Sequence, residues 1–175
     1  LGLGEMGRTA AQAIARHGFA ATGWAARERP GRSVPAGVQA VFGDAALAAR
    51  LPATDVLVNL LPLTPATRGL LSASLFARLP RGAGIVNLAR GAHLVDAALL
   101  AALQAGQIGH AVLDVFAHEP LPPDHPYWSH PRVTVLPHVA AATDPRSAAA
   151  VVGANLRALA EGRPLAHLVD RDRGY

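Results

Sequence analysis

The chain has 175 residues, of which 51% are hydrophobic and 16% charged, with 17 glycines and no cysteine. That supplies apolar material for one domain of common size and excludes a disordered chain, a disulfide scaffold and thiolate metal sites. The net charge of +4 is carried by arginine alone, scattered from Arg8 to Arg173, and aromatic residues make up only 5%. A groove that tracks phosphates and stacks bases needs clustered cations and aromatics, so nucleic acid is not an expected partner. No run approaches the roughly 18 apolar residues that span a bilayer, so a soluble, cytoplasmic protein without a membrane partner is expected.

In chain order, Leu1-Gly2-Leu3 reads as the tail of a strand and residues 4–17 as a helix. A strand is expected over 20–24, a turn-rich loop over 27–35, and a strand over 38–42. Asp44 is expected to cap a helix running through Arg50. The apolar run 55–60 is a buried strand closed by Pro62 and Pro65, followed by a helix over 72–79 and a strand over 84–88. Leu99, Leu100 and Leu103 share one face of a helix over 96–105. Strands over 110–116 and 133–136 flank a proline-rich loop, and a helix over 148–161 ends at Gly162 and Pro164. Strands alternating with crossovers of this length predict an α/β fold, a doubly wound parallel sheet covered on both faces. No repeat, charge block or linker divides the chain.

Four features carry chemistry. Gly2-x-Gly4-x-x-Gly7 ends a strand and opens a helix. Glycine there permits a tight turn and a backbone bare enough to approach a pyrophosphate, which the helix N-terminus then attracts. A cofactor-binding set of Gly2, Gly4, Glu5, Met6 and Gly7 is therefore expected. An NAD site normally has an acid at the end of the second strand, to hold the ribose hydroxyls. This chain has Trp24-Ala25-Ala26 there, followed by Arg27, Arg29 and Arg32. With no carboxylate to repel a 2′-phosphate and guanidiniums to pair with it, NADP (NADPH) is favoured over NAD.

The second feature is Arg90, just past an apolar strand in Asn87-Leu88-Ala89-Arg90-Gly91. At the carboxyl end of a sheet strand a guanidinium can hold a carboxylate bidentately and polarise a carbonyl; pairing with Asp96 is the structural alternative. The third is Asp114 at the next strand end, with Glu119 five residues on. The fourth is His138, the histidine among eight that follows a strand's carboxyl end. A carboxylate beside a histidine stabilises imidazolium and makes a proton donor. His125 and His130 lack a fixed ligand spacing, so no metal site is expected.

Five stretches, LGLGEMG, NLARGAHLVD, LDVFAHEPLPP, HPRVTVLPHVAA and VDRDRGY, resemble the D-isomer-specific 2-hydroxyacid dehydrogenases over essentially the whole chain. Within that family the resemblance is strongest to the glyoxylate/hydroxypyruvate reductase branch. It implies a Rossmann-type cofactor domain over 1–143, its first strand truncated, and a C-terminal helix and tail over 144–175 that return to a mostly absent substrate domain. It implies NAD(P)H-dependent reduction of a small 2-oxo acid, glyoxylate or hydroxypyruvate, by a homodimer. By position, Arg90 binds the substrate carboxylate and carbonyl, His138 donates the proton, and Glu119 orients and charges His138. Asp114 faces the nicotinamide side, Leu88 and Ala89 the nicotinamide ribose, and Leu61 and Pro62 the adenosine half. Where NADP members of the branch carry Ser-Arg, this chain has Ala25-Ala26, so the basic contact falls to Arg27 or Arg29.

A chain opening in the tail of a central strand is expected to be part of a longer polypeptide, with little or no activity alone. LGLGEMG also resembles the start of the 3-hydroxyacid dehydrogenases, but those use a catalytic lysine and this chain has none. A dinucleotide-sensing binding module and an inactive fragment are the alternatives left open.

Overall fold

The computed structural model describes every residue except Arg29, Pro30, Arg32 and residues 172–175. Its contacts divide the chain into two compact units, Leu1–His138 and Val139–Tyr175. No glycine- or serine-rich linker marks that boundary in the sequence.

In the first unit the extended segment Leu1–Leu3 leads into α1 (Glu5–Arg16), β1 (Ala21–Ala25), β2 (Val38–Phe42) and α2 (Gly43–Arg50). There follow β3 (Val56–Asn59), α3 (Ala73–Phe76), β4 (Ala83–Asn87), α4 (Asp96–Gln104), β5 (Ile108–Leu113) and β6 (Val133–Val135). β1 pairs with β2, and β3, β4, β5 and β6 are neighbours in that order, every pair parallel. Leu1–Leu3 joins the two groups. The Gly2 N–H donates to Trp24 O at 2.8 Å, the Leu1 nitrogen to Val58 O at 2.6 Å, and the Leu60 N–H to Leu1 O at 2.9 Å.

The chain therefore winds outward through β1 and β2 on one side, then crosses to β3 and winds outward through β6. Reversal at Leu1–Leu3 makes the sheet doubly wound, as the alternation of apolar runs predicts, and opens a crevice at the carboxyl ends of Leu1–Leu3 and β3. Leu1–Leu3 reaches only the carboxyl-terminal part of β3, and Val56 at its other end is 56% exposed.

Burial explains the apolar strands. Ile85 of β4 and Ile108, Ala111 and Leu113 of β5 are buried beneath Leu71, Leu75 and Phe76 and beneath Leu99 and Leu103 of α4. Each such leucine or phenylalanine contributes roughly 1.5–3 kcal/mol on leaving water. Tyr127 joins this core from the 3₁₀ turn Pro126–Trp128, and its hydroxyl donates to Asp96 Oδ1 at 2.8 Å. Burial, then the Asp96 charge and hydrogen bond, push the phenol far above its usual range.

Several boundaries differ from expectation. Asp44 makes no capping bond: α2 begins at Gly43 with Phe42 at the N-cap, which leaves Asp44 in the first turn. There its charge still favours the helix dipole. α3 spans four residues rather than 72–79, and β5 starts at Ile108 and ends at Leu113 rather than covering 110–116. In the second unit, α5 (Pro145–Ala160) starts three residues before the expected Ala148. Asp144 caps it, accepting from the Arg146 and Ser147 N–H groups, and Pro145 supplies a φ already suited to a first turn.

Candidate active site

The glycine turn is built by close backbone approach. Gly2 has φ +93°, and a Cβ there would sit 2.8 Å from Leu60 O; one on Gly7 would sit 1.7 Å from Gly2 O. Gly2 thus lets Leu1–Leu3 lie against the backbone leaving β3, and Gly7 lets α1 lie against Gly2. Gly4 differs: a Cβ there would meet nothing within 4 Å. It stands at the N-cap of α1, where no side chain caps the helix, with Glu5 and half-exposed Met6 in the first turn. An open helix N-terminus behind a bare glycine fits the pyrophosphate of a dinucleotide.

Beyond β1, Ala25 and Ala26 put no acid at the strand end, and Arg27 is exposed. Arg29 lies outside the described residues. Sequence reasoning missed Arg8, whose Nη2 donates to Ser33 Oγ at 3.3 Å across a cleft of about 340 Å³ between α1 and residues 33–36. Its Nε is buried without a hydrogen-bond partner among the described residues.

On the other side of the crevice, two asparagines end two apolar strands. Asn59 Nδ2 donates to Asn87 Oδ1 at 3.0 Å, and both residues are fully buried. Asn59 Oδ1 accepts from the Leu61 N–H, Asn87 Oδ1 from the Ala89 N–H, and Asn87 Nδ2 donates to Arg90 O at 3.2 Å. These bonds shape Leu61–Pro62 and Leu88–Ala89, the strand-end loops expected to line the cofactor. Asp114 follows directly on β5 and is 1% exposed, its N–H donating to Asn87 O. A polar residue closing an otherwise apolar run was the available signal for Asn59 and Asn87.

Arg90 is exposed at the mouth of this crevice, with Nη1 donating to Ala89 O at 2.6 Å. Its structural alternative is taken: Asp96 accepts from Tyr127, and His125 Nε2 stands 4.0 Å from it. Gly91 packs so tightly that a Cβ would sit 1.8 Å from the Phe116 carbonyl carbon, which sets the Arg90 loop against the loop leading to Glu119.

Glu119 and His138 meet. His138 Nδ1 lies 2.7 Å from Glu119 Oε2, and Glu119 Oε1 accepts from the Phe116 N–H at 2.9 Å. Partial burial alone raises the Glu119 carboxyl. The Phe116 bond, the His138 bond and charge, and the Arg90 charge outweigh it and hold the group below the usual glutamate value. His138 adopts φ +55°, a left-handed conformation unusual for a side chain with a Cβ, found where surroundings over-determine a functional position. With Nδ1 committed to Glu119, Nε2 is the nitrogen left to face a ligand.

His125 and His130 instead accept from the Tyr127 and Arg132 N–H groups, and among the described residues no three His, Asp or Glu side chains group as metal ligands. Nor is any helix among them long and apolar enough to cross a membrane.

A doubly wound domain with an open glycine turn and a histidine–carboxylate pair at its strand ends defines a dinucleotide-binding domain of dehydrogenase type. The model of the NAD binding domain of D-isomer specific 2-hydroxyacid dehydrogenases matches residues 1–140, and the chain belongs to that family. It is 48% identical over 175 residues to glyoxylate/hydroxypyruvate reductase A of Yersinia enterocolitica and 47% identical to that of Serratia proteamaculans. All of this chain is covered in both comparisons, and it spans 55% of each relative's length. Among solved structures, a D-isomer specific 2-hydroxyacid dehydrogenase from Xanthobacter autotrophicus Py2, in complex with NADPH and MES, matches with TM-score 0.92 and 44% identity. That match covers 99% of this chain and 70% of the other. An NADPH-dependent glyoxylate/hydroxypyruvate reductase from Sinorhizobium meliloti, in complex with NADP and sulfate, matches with TM-score 0.91 and 42% identity, over 99% of this chain and 55% of that one.

Proposed function

We propose that this chain supplies the cofactor half of an active site that reduces a small 2-oxo acid, glyoxylate or hydroxypyruvate, to the 2-hydroxy acid with NADPH. The observation that carries the reading is the 2.7 Å His138–Glu119 contact at the strand ends, with the Arg90 charge acting on the same carboxylate. Residues 1–143 form the cofactor domain, and residues 144–175 return toward a substrate domain.

A reduced nicotinamide bound there supplies hydride to the carbonyl carbon. The chain's own residues do the rest. The α1 N-terminus behind Gly4 binds the pyrophosphate, with Glu5, Met6 and Gly7 in that turn. Leu61 and Pro62 border the adenosine half, Leu88 and Ala89 the nicotinamide ribose, and Asp114 the nicotinamide. Arg90 pairs with the substrate carboxylate and draws electron density toward the carbonyl oxygen. His138 delivers a proton to that oxygen from Nε2, and Glu119, held ionised, keeps the ring oriented through Nδ1. The preference for the 2′-phosphate rests on Ala25 and Ala26 standing where an acid would end β1, on Arg27 and Arg29, and on relatives whose names and complexes specify NADPH or NADP.

The test is steady-state oxidation of NADPH and NADH by the full-length protein with glyoxylate and hydroxypyruvate. Turnover preferring NADPH, lowered about 10²–10⁴-fold by His138→Ala, is expected. Nucleotide binding without turnover refutes the reductase reading in favour of a sensor. A homodimer in the cytoplasm is part of the same proposal, checked by light scattering and cell fractionation.

A further inference from the structure

The structure assigns to His93 the task of positioning Arg90, by bridging the loops that follow β3 and β4; this role rests on the reductase reading above. His93 is fully buried, at the end of the 3₁₀ turn Gly91–His93. Its ring lies between two main-chain carbonyls, with Nδ1 3.1 Å from Arg90 O and Nε2 3.2 Å from Pro62 O; a neutral imidazole carries one N–H, and with it on Nε2 the ring donates to Pro62 O and makes the cross-loop bond. One carbonyl belongs to the residue that holds the substrate anion, the other to the loop bordering the nucleotide.

Neither carbonyl needs the ring in order to be satisfied. Arg90 O already accepts from Asn87 Nδ2 and from the His93 N–H, and Pro62 O accepts from Thr67 Oγ1 at 2.8 Å. Buried carbonyls with other donors leave no large desolvation penalty behind when one partner is removed. What the imidazole adds is a flat, rigid link at Pro62 itself; the same two segments are joined elsewhere by the Asn59–Asn87 bond and by main-chain bonds from Leu88 N to Asn59 O, Gly69 N to Ala92 O, Leu71 N to His93 O and Val95 N to Leu71 O. Arg90 has no ion pair to Asp96 to fix it, and its guanidinium folds back onto Ala89 O. The main-chain bonds between the segments engage residues 69–71 and the strand end, so the ring is what ties Pro62 directly to the Arg90 turn and adjusts where the guanidinium meets a carboxylate relative to the nucleotide.

The two nitrogens can be tested apart, because a glutamine amide reaches the place of Nε2 and an asparagine amide that of Nδ1. In the full-length protein, His93→Leu, His93→Gln and His93→Asn are compared by thermal melting, by NADPH titration on protein fluorescence, and by kcat and KM for glyoxylate. His93→Leu is expected to raise KM for glyoxylate about tenfold and lower kcat about tenfold, with NADPH affinity within about twofold. His93→Gln, keeping the cross-loop bond, is expected to restore KM to within about threefold, and His93→Asn to leave it raised.

Unchanged kcat and KM in folded His93→Leu overturn the role, as does equal loss in the Gln and Asn variants or a loss confined to the melting temperature. Should His93→Leu fail to fold, the Gln and Asn comparison decides. Absence of turnover in the unmodified protein refutes the reductase reading itself and this role with it, whereas normal turnover with indifferent His93 variants refutes the role alone.

Discussion

Replacing Gly91 with alanine tests whether the contact between the Arg90 loop and the Glu119 loop sets the site geometry. The added Cβ would stand 1.8 Å from the Phe116 carbonyl carbon, 2.1 Å from its oxygen and 2.2 Å from Ala117 N. All three are backbone atoms, so no flexible side chain can give way. Reaching an ordinary contact of 3.4 Å requires the two loops to part by about 1.6 Å. The Phe116 N–H is the donor that holds Glu119 Oε1, so movement of that segment carries Glu119 and His138 away from Arg90. A misplacement near 1 Å costs on the order of 10²-fold in rate, about 2.7 kcal/mol of transition-state stabilisation. Overpacking adds roughly 1–3 kcal/mol of lost stability. The assay is kcat/KM for glyoxylate beside NADPH titration and melting of the full-length protein. A fall of about 100-fold is expected, with a smaller loss of NADPH affinity, because the glycine turn lies on other loops while Leu88–Ala89 and Asp114 adjoin the parted ones. A folded Gly91→Ala protein with kcat/KM within about threefold of the parent refutes the reasoning.

The two ends of the glycine turn are expected to respond oppositely. Gly4→Ala meets no protein atom, so its melting temperature stays unchanged while NADPH binding weakens; Gly7→Ala collides with Gly2 O and loses stability, read by melting. Glu119→Gln tests the acid limb of stability. The folded carboxyl sits below its ordinary value, so its contribution is present above that ordinary value and drains away as pH falls through the lowered one. The variant is expected to melt with a flatter pH profile in that acidic window, and an unchanged profile contradicts the assignment. Tyr127→Phe removes the bond to Asp96 and is expected to cost about 1.5–3 kcal/mol in chemical denaturation while kcat stays unaltered.

What the sequence discloses and what it conceals divide along one physical line. Elements that bury a long apolar face announce themselves by period: the β3, β4 and β5 runs could only be strands of a covered parallel sheet, and with glycines 2, 4 and 7 they locate the crevice before any coordinate is known. That Arg90, Glu119 and His138, the proposed site residues, follow strand ends on the side where such sheets bind ligands was legible. The bonds that hold those residues in place were not. Gly91 touches Phe116 across 25 residues of sequence, His93 reaches Pro62 across 31, and Asn59 meets Asn87 across 28. Nothing periodic links such positions, since each contact exists only once the strands are in register. Gly91 and His93 sit inside the very string that identifies Arg90, so adjacency in sequence concealed two different tasks. In the proposed site Arg90 meets the ligand, while its neighbours Gly91 and His93 grip the strand-end loops on either side. A site assembled from strand ends depends on such grips, because each loop arrives from a different strand and only cross-loop contacts fix their mutual distances. The sharpest reading of this chain's chemistry therefore comes from perturbing Gly91 and His93, residues without a role in proton or hydride transfer. The rate responds to them only if the distances they set are the ones catalysis uses.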